Sequence, residues 1–389
     1  MSDAGTGLAF RLAGADVLLP DGIVRSDLHV VEGWIAETGG RSDVRVVDLS
    51  GWIVCPGIVD IHGDGFERHV AARRGALTDL SDGLVSTEAE LAANGITTAM
   101  LAQFWSWEGG MRGPDFAARL AAAWRALAPG MATDLRLQLR LETSMVADFP
   151  AALRLIDRIG IGYVVFNDHL PHDHLEAGKA PPRLTGSALR AGRSPEAHLA
   201  LMRSLHAGKK DGAAALAGLA AALAARDVRI GSHDDATAAS RAFYHGLGVR
   251  IAEFPETREA AVAARESGDA IVMGAPNVVR GSSHAGKVSA RDVIAAGLCD
   301  ALASDYHYPS LRRAVVALEQ AGICDFATAW RLISDGPARL LGLDDRGRLT
   351  PGRRADLVIL DRRTGQVGAA MAGGRFTFLR TPLAERFLG

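Results

Sequence analysis

The sequence predicts an α/β protein, a (β/α)8 TIM barrel that carries a small β-sandwich domain built from both chain termini. Three observations lead there. Short apolar runs alternate with amphipathic helical stretches through the middle of the 389 residues, both ends are rich in alternating strand patterns, and several middle runs end in His or carboxylate residues. A chain of this length suits a barrel plus an accessory domain.

The termini are read first. LAFRLAGADVLLP, GIVRSDLHVVEGWIAETG and VRVVDLSGWIVCPG alternate apolar with polar residues and break at Gly, Asp and Pro, as hairpins do. The same texture returns in RADLVILDRRTGQVGAAMAGGRFTFL, so residues 1–52 and 346–389 are expected to form one discontinuous sandwich around a barrel of 53–345. Eight barrel strands are expected at IVCPGIVDIH, GITTAMLA, LRLQLRLE, GYVVFND, DVRIGSH, GVRIAEF, DAIVMGAP and DALASD. The fourth is apolar throughout, as a strand buried on both faces must be. One long connection, 170–226, reads as an active-site loop or lid followed by helices.

Bulk properties restrict the partners. A net charge of -2 creates no global field to gather nucleic acid or an anionic membrane, so an anionic ligand must be held locally. The three cysteines, Cys55, Cys299 and Cys324, are scattered and odd in number. They fit neither a disulfide framework nor a cysteine zinc site, and favour a cytoplasmic location. The N-terminus has no basic-then-apolar leader pattern, and no apolar stretch reaches membrane-spanning length. The expected partner is a phosphorylated small molecule, with neither nucleic acid nor membrane involved; a homo-oligomer is compatible with the reading.

The chemistry sits where the runs end. The first expected strand ends in Asp60-Ile61-His62-Gly63-Asp64, the third in Glu142, the fourth in Asn167-Asp168-His169, the fifth in Ser232-His233-Asp234-Asp235 and the eighth in Ser304-Asp305. Strand C-termini face the catalytic mouth of such a barrel. His and carboxylate groups arriving there from several strands suit one or two divalent ions, zinc first, with manganese, iron or cobalt as alternatives. The i, i+2 spacing of His62 and Asp64 puts both on one strand face, and Glu142 is placed to bridge two ions. Asp234 and Asp235 read equally well as caps of the next helix. After the seventh strand, Ala275–Lys287 combines small residues with Asn277, Arg280, His284 and Lys287, a composition suited to phosphate; Arg68, His69, Arg73 and Arg74 add cations after the first strand. Walker, G-x-S-x-G and dinucleotide-binding patterns are absent from the sequence, which disfavours P-loop, serine-nucleophile and nicotinamide chemistry.

Pro56-Gly57, His62-x-Asp64 and Gly95-Ile96-Thr97-Thr98 together resemble the amidohydrolase superfamily. Ser232-His233-Asp234-Asp235-Ala236-Thr237, Ile251-Ala252-Glu253-Phe254-Pro255, Met273 through Gly281, and Ser304-Asp305-Tyr306 are similar, in the same order, to its diphosphatases of bacterial phosphonate utilisation. That resemblance implies release of pyrophosphate from a ribose 1-methylphosphonate 5-triphosphate. It implies metal ligands at His62, Asp64, Glu142, His169, His233 and Asp305, and phosphate contacts at Arg280, His284 and Lys287. The chain departs from the family around these positions: Gly63 and Gly65 stand where Thr and Asn are usual, and Glu256 where Thr is usual. The expected mechanism is hydrolysis of a phosphoanhydride at the metal centre, with Asp305 and His233 as catalytic residues. Asp305 takes the proton of the attacking water, and Arg280 and Lys287 offset leaving-group charge. Two rivals stand beside it: an amidohydrolase or deaminase acting on a C–N bond at the same centre, and a metal-free binding protein that keeps the barrel.

Overall fold

The computed structural model describes residues 9–37, 44–71, 79–281 and 287–389, with only the backbone of 210 and 211. The chain enters through β1 (Phe10–Leu19), β2 (Gly22–Val31), β3 (Trp34–Ala36), β4 (Arg45–Asp48) and β5 (Trp52–Pro56). It continues through β6 (Ile58–Gly63), β7 (Ile96–Trp105), β8 (Asp134–Glu142), β9 (Tyr163–Asn167), β10 (Arg229–His233), β11 (Ile251–Glu253), β12 (Ala270–Gly274) and β13 (Ala301–Ala303). It ends with β14 (Leu357–Asp361), β15 (Val367–Ala372) and β16 (Arg375–Leu379).

β6 to β13 pair in sequence order, every pair parallel. The ring closes through a parallel bridge between Gly63 and Asp305, backed by Asp305 N–H to the His62 carbonyl at 3.0 Å and Asp64 N–H to the Asp305 carbonyl at 2.9 Å. Ser304 adds its amide and hydroxyl to the buried Asp60 carboxylate at 2.9 and 2.6 Å. Asp60, one of the strand-end acids, therefore seals the barrel. Gly63 is needed at this seam: a Cβ would lie 2.6 Å from Asp60 Oδ2 and 2.8 Å from the Tyr308 ring.

The expected first strand, IVCPGIVDIH, proves to be two. β5 belongs to the terminal sheet, between β14 and β1, and the chain crosses to β6 at Gly57. A side chain at Gly57 would strike Thr97 at 2.3 Å, so a continuous apolar run conceals a change of sheet. The terminal sheet runs β16-β15-β14-β5-β1-β2-β3, with β4 beside β1, so strands from the two chain ends are hydrogen-bonded to each other. One of its faces buries Leu12, Val17, Val30, Ile35, Leu357 and Met371. The connection at 170–226 is largely helical, with Leu170, Leu175 and Met202 packed on Trp107. Among the described residues, no helix is long and apolar enough to cross a membrane.

Candidate active site

Inward-facing positions of β6, β8, β10 and β11, with the residues just past β10 and β13, meet at the C-terminal mouth of the barrel. Asp64, Arg140, His169, His233, Asp234 and Asp305 contribute to the walls of a cavity of about 340 Å³. Their potential ligand atoms fall into overlapping trios, each within 4.8 Å: His62–Asp64–Asp305, His62–His233–Glu253, His169–His233–Asp234 and Glu108–Glu142–His169. The backbone is strained where it turns into this mouth. Asp234, Phe254 and Asp305 follow β10, β11 and β13 with φ of 60°, 54° and 55°, a left-handed conformation that costs a non-glycine residue about 1–3 kcal/mol and tends to cluster at functional sites.

Each histidine is oriented by its second nitrogen. Glu253 is completely buried; its Oε2 accepts from His62 Nδ1 at 2.7 Å, and its Oε1 accepts from Gln138 Nε2 at 2.9 Å and the Tyr163 hydroxyl at 2.7 Å. Burial works against the Glu253 charge, but the His62 ring and the Tyr163 hydroxyl help to hold the acid below its ordinary range. With Nδ1 donating, the lone pair of His62 is on Nε2, which is buried without a hydrogen-bond partner. A buried, unpartnered acceptor beside Asp64 and Asp305 fits a divalent cation. His169 follows the same design. Its Nδ1 donates to Glu142 Oε1 at 2.6 Å, while its backbone N–H meets Glu142 Oε2 at 3.1 Å. Both Glu142 oxygens thus face His169.

Burial, followed by the charge of Asp64, pushes Asp305 up to about 6. His233 is pushed down to about 4, first by burial and then by the Arg140 guanidinium, so near neutral pH its ring is uncharged. Arg140 is itself 4% exposed, with its guanidinium carbon 3.9 Å from the Phe104 ring centroid.

Of the residues singled out in the sequence, His62, Asp64, Glu142, His169, His233 and Asp305 come together at this mouth. Asn277, Arg280 and Lys287 line the cavity beside them, Asn277 and Arg280 on a short helix, Ala275–Arg280. Arg280 reaches the Tyr306 hydroxyl at 3.3 Å, and Lys287 lies 2.5 Å from Glu256 and 3.8 Å from Asp234. Arg68 and His69 are not in the cavity wall; both are spent on Glu90, Arg68 in a close contact and His69 at 2.6 Å. His284, Arg73 and Arg74 lie outside the described residues. The two candidate caps divide: Asp235 is buried with Arg241 at 2.9 Å and Ser232 at 2.7 Å, whereas Asp234 faces His233 and Lys287. Thr237 caps the helix that follows.

The sequence reading missed Arg140, Arg112, Glu253 and Glu108. Arg140 carried a signal, since it stands two residues before Glu142 and so on the same face of β8. Glu253 carried another, as an acid closing the short apolar strand β11. Arg112 and Glu108 sit beyond β7 in a short turn, and no local pattern points them toward the mouth.

The amidohydrolase family model matches residues 191–373. The α-D-ribose 1-methylphosphonate 5-triphosphate diphosphatase of Escherichia coli (strain K12) is 32% identical over 367 residues, 90% of this chain and 95% of that protein. An adenine deaminase of Methylobacterium sp. (strain 4-46) is 41% identical over 75 residues, 19% of this chain and 13% of the deaminase. Among solved structures, the N-acyl-D-glutamate deacylase of Bordetella bronchiseptica, complexed with zinc and a phosphonate inhibitor, aligns with a TM-score of 0.61. Its identity is 16%, over 97% of this chain and 98% of the deacylase. The β-aspartyl dipeptidase of Fervidobacterium islandicum AW-1 aligns at 0.60 and 13%, over 96% and 97%. At such identities the structural likeness speaks for the fold, while the match to the E. coli enzyme spans nearly both chains. This chain belongs to the amidohydrolase superfamily and, within it, resembles the diphosphatase of phosphonate utilisation.

Proposed function

We propose that the protein is a metal-dependent hydrolase that cleaves a phosphoanhydride in a phosphorylated small molecule, releasing pyrophosphate as the E. coli relative's name implies. One observation carries the reading: the cavity that gathers the His and carboxylate groups is also lined by four cations, Arg112, Arg140, Arg280 and Lys287. An amide needs no such ring of charge, whereas a triphosphate tail does.

His62, Asp64 and Asp305 would hold a divalent ion, with His169, His233 and Asp234 as the neighbouring trio. Bound there, the ion would acidify a water and polarise the attacked phosphoryl group. The chain's own residues supply the rest. Asp305, just past β13 beside Asp64 and His62, is placed to exchange a proton at its carboxylate. Glu253 and Glu142 fix the rings of His62 and His169. Arg280 and Lys287 line the same cavity at exposed positions, where they can bind the phosphate tail.

The test is an assay of metal-replete protein against ribose and nucleoside triphosphates beside an amide and deaminase panel. Pyrophosphate release is expected. Ammonia or amine release alone would overturn the proposal in favour of C–N hydrolysis.

A further inference from the structure

Two of the four trios at the mouth share no residue and stand on either side of one side chain: His62–Asp64–Asp305 and His169–His233–Asp234. Between them stands a guanidinium. Arg140 Nη1 lies 3.4 Å from Asp64 Oδ2, a member of the first trio, and Nη2 donates to His233 Nε2 at 3.0 Å, a member of the second. Asn167, turned so that its amide oxygen faces the arginine, accepts from Arg140 Nη2 and Nε, both at 3.2 Å. With the Phe104 ring against one face of its guanidinium, this side chain is fixed at the cavity wall and nearly excluded from solvent.

Counting lone pairs separates the two trios. A neutral imidazole has one N–H and one lone pair. In His62 the N–H goes to Glu253, leaving Nε2 buried, unpartnered and free to bind a cation. In His233 the Nε2 lone pair is already taken by Arg140, so the proton is on Nδ1, which is buried without a hydrogen bond, 3.1 Å from an Asp234 oxygen. His233 therefore has no lone pair to offer while Arg140 is in place. The second trio lacks a ligand, and a fixed positive charge already stands beside it.

We infer that Arg140 is the built-in cation of the second subsite, so that each chain holds one divalent ion, at His62, Asp64 and Asp305, rather than a pair. The inference rests on the metal-dependent reading above and refines it. It gives the arginine a role in the same reaction. Where a two-ion enzyme presents a second Lewis acid to the phosphoryl oxygens, this one presents a planar donor that lines the cavity, without exchanging a ligand. It also accounts for a costly feature, an arginine in the barrel interior. A guanidinium satisfied by Asp64, His233 and Asn167 serves where a metal would need all the lone pairs it covers.

The experiment counts ions. Wild-type protein is stripped with a chelator, reloaded with Zn²⁺ or Mn²⁺, and measured by elemental analysis and titration calorimetry beside Arg140→Met and Arg140→Lys. Wild type is expected to bind one ion per chain and Arg140→Met two, because the mutation frees His233 Nε2 and removes the charge; Arg140→Lys, which keeps the charge, is expected to stay at one. Two ions in wild type would overturn the inference and leave metal-dependent hydrolysis standing. One ion in both wild type and Arg140→Met would equally overturn Arg140 as the excluding group. No bound ion at all would instead sink the metal-dependent reading. Should Arg140→Met not fold, the spin-resonance spectrum of the Mn²⁺-loaded wild type still decides. An isolated-ion signal is expected, and an exchange-coupled pair would refute the inference.

Discussion

The two ends of the barrel treat buried charge in opposite ways. At the bottom, Arg346 is 4% exposed and fully engaged: Asp134 at 2.6 Å, Asp345 at 2.8 Å and Thr98 at 2.8 Å, with Asp356 3.8 Å away. Asp356 in turn accepts from Arg354 at 2.8 Å and the Gly373 amide at 2.6 Å, tying the start of β8 to the returning C-terminal strands. At the mouth, His62 Nε2 is buried without a partner, Asp305 is pushed toward neutrality and three residues are left-handed. At the bottom the charges are spent on one another, with only one oxygen of Asp356 left without a hydrogen bond; at the mouth the unpartnered His62 Nε2 lies beside two carboxylates, where a ligand can reach it. Mutations at the two ends should therefore differ in sign as well as in size.

Asp305→Asn should produce the largest effect and split its sign. Activity is expected to fall about 10²–10⁴-fold, the range for a positioned acid–base group. Stability without metal should rise. The folded-state pKa of Asp305 stands above the unfolded value, so the folded carboxyl resists ionisation. Its destabilisation is absent below about pH 4, grows between about pH 4 and 6, and levels off above that at no more than about 3 kcal/mol. Denaturant melts of both proteins at pH 4 and pH 8 measure it; a variant less stable than wild type at pH 8 would remove Asp305 from the strained end.

Arg346→Met tests the opposite end. Removing one member of a buried ionic cluster leaves the others uncompensated, so stability should drop by about 3–5 kcal/mol. The kcat/KM of the folded fraction should not move. Urea unfolding with parallel kinetics would show whether a loss confined to stability is what this end gives. Next in size is Glu253→Gln, which takes the anion away from His62 without opening space. Metal affinity is expected to weaken about 10–100-fold, the usual range for a ligand's hydrogen-bonding partner. Chelator competition reads this directly, and an unchanged affinity would mean that Glu253 only fills the core.

The contrast between the ends also explains what could be read from the sequence. His62, Asp64, His233 and Asp305 announced themselves because they terminate apolar runs, and strand ends of such barrels share one face. Barrel closure was hidden, since the pairing of Gly63 with Asp305 joins positions 242 residues apart. Arg140 and Glu253 were overlooked for the reverse reason. Arg140 lies inside its strand, and Glu253, though it ends β11, is followed by Phe254 and Pro255 in an apolar run, so each charge reads as interrupted pattern; the partners of both come from other strands. Arg68 and His69 looked suited to phosphate by composition alone; Glu90, on the neighbouring helix, claims both. A surface cation's partner is set by packing that no local pattern encodes. The same limit hid the change of sheet at Gly57, where the apolar period continues although the hydrogen-bonding partners change.

The smallest effect belongs to the rim, between the two extremes. Arg280 is exposed and Lys287 is 44% exposed, so their charges are screened and each is worth about 0.5–1 kcal/mol to an anionic ligand. Lys287 must also be drawn from Glu256 to serve one, which cancels part of its contribution. Together, Arg280→Ala with Lys287→Ala should raise KM for a triphosphate substrate about 5–10-fold and change kcat little. The difference from wild type should shrink as salt is raised. With an uncharged amide the double variant should match wild type. If KM instead holds steady for the triphosphate at low salt, the rim does not read phosphate, and the burden of recognition falls inward to Arg140 and Arg112.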